Sequence, residues 1–227
     1  MHKSDTRERP VYHLAEAARF LKLPVTTLRP WVAGRGYPTA SRRRDFKPLL
    51  RPALAEPVTL SFWNLVEAHV IRSLRQEHSV AIGELRSAIE YAESALNINR
   101  LLLSKELRAD AGEIFLERYG ELIKLSASGQ LAMRALFKAH LDRVEWDEWK
   151  FPIRLYPFVS STIVGMEKPI AIDPSIAFGR PMVTSKSIST AAIAARIDAG
   201  ETAEELEIDY DISADEINQA AIYERVA

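Results

Sequence analysis

Four prolines, Pro38, Pro48, Pro52 and Pro57, punctuate the stretch between residues 37 and 57. A proline inside a helix lacks the amide hydrogen and crowds the preceding turn, so no long helix crosses this stretch. The chain is thereby divided. Whatever is helical before residue 37 is a separate piece from whatever is helical after residue 57. Arg42, Arg43 and Arg44 stand in a row inside the same stretch, and Gly34 and Gly36 lie just upstream. Proline and glycine among arginines predict an extended loop or wing.

Before the stretch, HLAEAARFL (13–21) places Leu14, Ala17, Ala18 and Leu21 at the spacing of a short amphipathic helix. KLP breaks it. VTTLRPWV predicts a second short helix, with Leu28, Trp31 and Val32 as its apolar face and Gly34 as its stop. Two short helices joined by a tight break outline a helix-turn-helix. Pro30 lies inside the second helix, where a proline costs ~3 kcal/mol. It predicts a kink or a later start.

After the stretch the helical period returns. Ser61 is a candidate N-cap for FWNLVEAHVIRSLRQE, and Leu85, Ile89, Ala92 and Leu96 form the stripe of a helix over 81–98. EIFLERYGELIKLS (113–126) clusters its apolar residues on either side of Tyr119-Gly120 and predicts a β-hairpin. Helical spacing resumes over 130–144, and PIRLYPFV (152–159) predicts a strand that joins that hairpin. From residue 168, two short strands around Asp173-Pro174-Ser175 precede helices over 189–199, 202–209 and 213–225. Thr202 with Glu205 and Ser213 with Glu216 fit capping boxes, and Gly200 fits a C-cap. The fold class is α+β and mainly helical. Three parts are expected: 1–98 with a winged helix-turn-helix, 99–166 with a β-hairpin and helices, and 167–227 with a short β-hairpin and three helices.

The net charge of −1 hides a strong asymmetry. Residues 1–54 hold 12 Lys/Arg against 4 Asp/Glu, and residues 167–227 hold 5 against 12. A basic module releases counterions from phosphates, so nucleic acid is the expected partner of the first part. The candidates are Thr26, Thr27, Arg29, Arg35, Arg42, Arg43 and Arg44. Short polar side chains at the start of a recognition helix approach phosphate, and arginine reaches guanine edges. Wing arginines clamp the flanking backbone or the minor groove. Trp31 belongs to the core.

The chain has no cysteine, no apolar run of the ~20 residues needed to span a bilayer, and no signal-peptide start. A soluble cytoplasmic protein is expected. His13, His69, His78 and His140 are scattered without ligand spacing, so no metal is expected. Glu145, Asp147 and Glu148 read as solvated carboxylates at a helix end. No phosphate-binding loop, nucleophile elbow or catalytic triad order occurs. No cofactor and no enzymatic activity are expected.

YHLAEAARFLKLPVTTLRPWVAG, with its Thr27-Leu28-Arg29 triplet, and NLVEAHVIRSLRQEHSVAIGELRSAIEYA resemble in order the DNA-binding domain of MerR-like winged-helix regulators. The resemblance covers residues 10–98. The C-terminal segment resembles a small bacterial domain of unknown function that serves as the VapB-type antitoxin of PIN-like ribonuclease toxins. Ile172, Asp173, Pro174, Gly179, Pro181, Gly200, Thr202, Glu205, Tyr210, Ser213 and Ile217 stand at matching positions. The family's Gly-Thr-Arg triplet is replaced by Ser185-Lys186-Ser187. Together the resemblances imply an antitoxin that binds a PIN-like ribonuclease toxin and represses its own promoter DNA. Arg180, Lys186, Arg196 and Arg225 become toxin-binding candidates. Regulators of the first kind imply a homodimer. The other reading is a MerR-like transcription regulator whose C-terminal half senses a small ligand.

Overall fold

The structure is a computed structural model that describes residues 5–38, 43–46, 48–75, 82–104, 107, 110–122, 127–149, 151–158 and 168–225. A two-residue strand β1 (Tyr12–His13) leads into helix α1 (Leu14–Phe20). Leu14, Ala17, Ala18 and Phe20 are buried, the face that the apolar spacing predicts. The helix ends in a Schellman turn: Leu23 N donates to Ala18 O at 2.9 Å and Lys22 N to Arg19 O at 3.2 Å. Lys22 takes the left-handed position, φ 53°, that glycine usually fills.

Helix α2 (Val25–Ala33) follows and buries Leu28, Trp31 and Val32. Gly34, at φ 71°, ends it. Strands β2 (Arg35–Pro38) and β3 (Arg43–Phe46) then form an antiparallel hairpin in which Arg35 pairs with Phe46 and Pro38 with Arg43. The chain returns to α2 at once. Leu49 N and Leu50 N both donate to Trp31 O, at 2.7 and 2.8 Å, and so satisfy a last-turn carbonyl of α2. Strand β4 (Thr59–Leu60) closes back on β1, Tyr12 opposite Leu60.

Helix α3 (Phe62–Arg75) is the central element. Ser61 Oγ accepts from Asn64 N at 3.2 Å, the expected cap. Both its apolar side chains, among them Leu65, Val66, Val70 and Ile71, and its polar Asn64, Glu67, His69 and Arg72 are buried. Helices α4 (Ile82–Leu96), α5 (Asp110–Leu122) and α6 (Ala127–Leu141) follow; α4 packs on α5 and α6 on α3. One cluster of buried side chains runs from Tyr12 through these helices to Leu155 and Ile172.

The hairpin expected over 113–126 is not formed. Residues up to Leu122 are helical, with Tyr119-Gly120 inside α5, and 123–126 lie outside the described residues. Phe115, Leu116 and Tyr119 are all buried at i, i+1 and i+4, which is a helical face. Gly120 serves close packing rather than a turn, since a Cβ there would meet the Gln130 side chain of α6 at 3.3 Å. The expected strand after residue 152 is present as β6 (Pro152–Leu155), but its partner is β5 (Val144–Trp146), the segment expected to end a helix.

Leu155 and Ile172 exchange backbone hydrogen bonds at 3.0 and 2.8 Å, which carries the chain into the C-terminal unit. There β7 (Ile170–Ala171) pairs with β8 (Met182–Val183) around the Asp173-Pro174-Ser175 turn. Helices α7 (Thr190–Asp198), α8 (Ala203–Tyr210) and α9 (Ala214–Arg225) enclose a separate core of Ile170, Val183, Ile193, Leu206, Ile217 and Tyr223. Both capping boxes are present: Glu205 N donates to Thr202 Oγ1 at 3.2 Å and Glu216 N to Ser213 Oγ at 3.3 Å. Gly200, at φ 101°, follows the last residue of the α7 cap.

Candidate nucleic-acid interface and its C-terminal seam

Thr26 and Arg29 are exposed on α2, three residues apart and so on one face, and Thr27 is half-buried. The helix holds no carboxylate, and the Arg29 guanidinium has no partner among the described residues. The N-terminal end of a helix also favours an anion near Thr26. Pro30 does not delay the start of α2. The helix runs through it to Ala33. The hydrogen bond it cannot make would have gone to the carbonyl of Thr26, an exposed residue that water can reach, while Leu28 and Trp31 anchor the same turn in the core.

The basic stretch is a hairpin stem at both ends. Arg35 opens β2, and Arg43 and Arg44 open β3 opposite Pro38 and Tyr37. Arg42 lies outside the described residues. The structure thus places Thr26, Thr27 and Arg29 on one short helix and Arg35, Arg43 and Arg44 on the hairpin that leaves its end.

The four basic candidates of the C-terminal unit divide differently. Lys186 Nζ contacts Asp211 at 2.6 Å, Arg196 contacts Asp209 at 2.6 Å and also Glu201, and Arg225 contacts Asp198 at 2.8 Å. Lys186 holds the Asp211 carboxyl below its ordinary range, and Arg196 does so for Glu201. All of these are surface pairs of small energetic weight. Arg180 alone of the four has no such partner among the described residues.

Sequence reasoning missed the seam by which the C-terminal unit meets the helix pair. The Tyr223 hydroxyl, fully buried, donates to Phe20 O at 2.8 Å. Lys22 Nζ donates to Tyr223 O and sits 3.8 Å from the Tyr223 ring centroid. Arg19 pairs with Glu224, which also accepts from Thr190 Oγ1. The Tyr12 hydroxyl donates to Gly179 O at 3.0 Å. Burial lowers the Lys22 ammonium to about 8. Arg72 Nη1 donates to Leu21 O at 2.9 Å. The last carbonyls of α1 are therefore satisfied from two other elements, α9 and α3.

Two histidines that read as scattered are brought together. The His69 and His140 rings lie 4.9 Å apart, His69 Nε2 is 3.1 Å from His140 O, and both rings pack on Phe158. The Arg143 guanidinium lies 4.1 Å from the Phe158 ring centroid and Arg72 5.6 Å. Burial pushes His140 down to about 4, His69 well below its usual range, and both guanidinium groups to about 10. Of the three carboxylates that read as a solvated cluster, Glu148 is exposed, while the half-buried Glu145 and Asp147 act as braces: Glu145 accepts from Tyr156 Oη at 2.7 Å, and Asp147 from Arg7 at 2.6 Å and from Phe151 N at 2.8 Å. Among the described residues no group of three or more His, Cys, Asp or Glu could hold a metal ion. No described helix is long and apolar enough to cross a membrane.

Comparison with known proteins matches residues 170–223 to a family described as a protein of unknown function, DUF433. The chain is 26% identical over 231 residues to a Mycobacterium tuberculosis (strain ATCC 25618 / H37Rv) protein named Putative antitoxin VapB45, covering 93% of this chain and 92% of that one. It is also 26% identical over 221 residues to the uncharacterized protein Rv2308 of the same strain, covering 95% and 90%. Among solved structures, the crystal structure of Rv2018 from Mycobacterium tuberculosis shares the fold, with a TM-score of 0.66 at 20% identity over 93% of this chain and 97% of that one.

Proposed function

We propose that this chain is an antitoxin that binds and neutralises a PIN-like ribonuclease toxin and represses its own operon by binding promoter DNA. The observation that carries the reading is the alignment, along nearly the whole of both chains, with a relative named as an antitoxin, together with the DUF433 match at the C-terminal end. In this reading α1 and α2 are a MerR-like helix-turn-helix, and the β2–β3 hairpin is its wing. Thr26, Thr27 and Arg29 meet the major groove, and Arg35, Arg42, Arg43 and Arg44 the flanking backbone. The charge surplus of residues 1–54 supports DNA as the partner of this end. The C-terminal unit holds the toxin, and operator symmetry calls for a homodimer. The role is binding, not catalysis.

Coexpression with the product of the neighbouring open reading frame tests the reading. A PIN-like partner that co-purifies, and a promoter fragment retarded by the chain, are the expected results. A neighbour of another kind, or one that never co-purifies, ends the toxin assignment. Light scattering at tens of micromolar checks the dimer, and a monomer there counts against it.

A further inference from the structure

We propose that the β7–β8 loop is the anchor by which the C-terminal unit grips its toxin: Phe178 enters an apolar pocket of a net-basic protein, and Arg180 meets a carboxylate at the rim. The inference rests on the antitoxin reading and adds the surface and the chemistry of its partner. Phe178 is 90% exposed, more than any other large apolar side chain among the described residues. Its backbone is unusual as well. Ala177, Phe178 and Gly179 are consecutive residues in the left-handed region, at φ 50°, 55° and 74°. A single non-glycine residue there is strained, and two in succession persist only where the surroundings enforce them.

The surroundings do enforce them. The Tyr12 hydroxyl holds Gly179 O, and a Cβ on Gly179 would sit 2.1 Å from that hydroxyl oxygen. Gly179 N donates to Ile176 O at 2.9 Å and Arg180 N to Ala177 O at 3.1 Å. At the base of the loop the buried Asp173 accepts from Ser175 N at 2.8 Å and from Arg154 Nη2 at 2.9 Å. The fold therefore fixes a strained loop whose largest side chain contributes almost nothing to the core. Arg180, two residues on, is exposed and, among the described residues, is the one basic candidate of this unit without a carboxylate partner.

Charge decides the occupant. Residues 167–227 hold 5 Lys/Arg against 12 Asp/Glu, a surface that repels a phosphate backbone and attracts a basic protein over long range. A nuclease that holds RNA presents such a basic surface and keeps carboxylates for its own chemistry. Aromatic and arginine side chains are the residue types that dominate protein interfaces.

The test titrates the purified full-length chain against the purified PIN-like protein encoded beside it, by calorimetry, with Phe178→Asn, Phe178→Ala and Arg180→Ala alongside wild type. Each variant is expected to bind at least ~30-fold more weakly, the loss a hot-spot residue brings. Phe178→Asn is expected to melt at or above wild type, because asparagine tolerates the left-handed region better than phenylalanine. Wild-type binding with all three variants within about threefold overturns the inference and leaves the antitoxin reading standing. No binding by wild type overturns both. A loss that tracks a matching drop in melting temperature, or that falls on promoter DNA or on the chain's own association rather than on the toxin, overturns the inference.

Discussion

The Tyr223 hydroxyl donates to the Phe20 carbonyl at 2.8 Å, a hydrogen bond that joins residues 203 positions apart. It ties α9 to the end of α1, one turn before the second helix of the pair begins. Phe20 O is a last-turn carbonyl, and Tyr223 is fully buried. Tyr223→Phe keeps the ring and removes the bond, leaving a buried acceptor without its donor. The expected loss is about 1–3 kcal/mol, read as a lower urea midpoint at unchanged m-value.

Lys22 makes the seam respond to alkali. Its folded value of about 8 is below its ordinary 10.5, so between those values the unfolded chain binds a proton that the folded chain has lost. Stability then rises with pH. Tyr12 and Tyr223, which burial pushes upward, oppose this once an unfolded tyrosine ionises near 10. The clean window is pH 8 to 10. The urea midpoint is expected to rise across it in wild type, and Lys22→Met is expected to remove that rise.

The His69–His140 pair acts at the other end of the scale. Both are held below the ordinary 6.5, with His140 at about 4. As pH falls below 6.5 the unfolded chain takes up protons that the folded chain refuses, so stability falls, by up to about 1.4 kcal/mol per pH unit for each group. Urea midpoints at pH 7 and pH 5 measure the drop. Replacing both histidines with leucine is expected to flatten that interval. An equal slope in the double variant would assign the acid sensitivity to other groups.

For the proposed DNA interface, replacing Arg42, Arg43 and Arg44 with alanine is expected to weaken promoter binding and to lower the salt slope by up to about 3. Fluorescence anisotropy against salt concentration measures it. An unchanged slope would take the hairpin out of the interface. Arg29→Ala tests α2 separately, with a loss of about 1–3 kcal/mol concentrated on one base position if the guanidinium reads a base edge.

What was legible in the sequence was local. The α1 face, the Ser61 cap, the Gly34 stop and both C-terminal capping boxes depend on residues within one or two turns of each other. The 113–126 segment was misread because Tyr119-Gly120 has turn composition, while Phe115, Leu116 and Tyr119 carry a helical spacing over too few residues to outweigh it. Tertiary packing settles such a case: Gly120 is where the Gln130 side chain comes closest. Charge was legible only as a sum. Nothing in the sequence distinguishes Arg180 from Lys186, Arg196 and Arg225, since their carboxylate partners lie 13 to 27 positions away or, for Glu201, five. The seam was invisible because periodicity carries no information about pairs some 200 positions apart. Lys22 in particular reads as an ordinary basic residue in a turn.

The same long separation has a consequence in time. A chain made at about 5–20 residues per second presents α1 and α2 roughly 10–40 s before α9 is available to brace them. During that interval the carbonyl of Phe20 has no Tyr223, and Lys22 has no ring to cover it. The helix pair is thus complete in sequence long before it is complete in structure, and a helix synthesised some 200 positions later is the one that finishes α1.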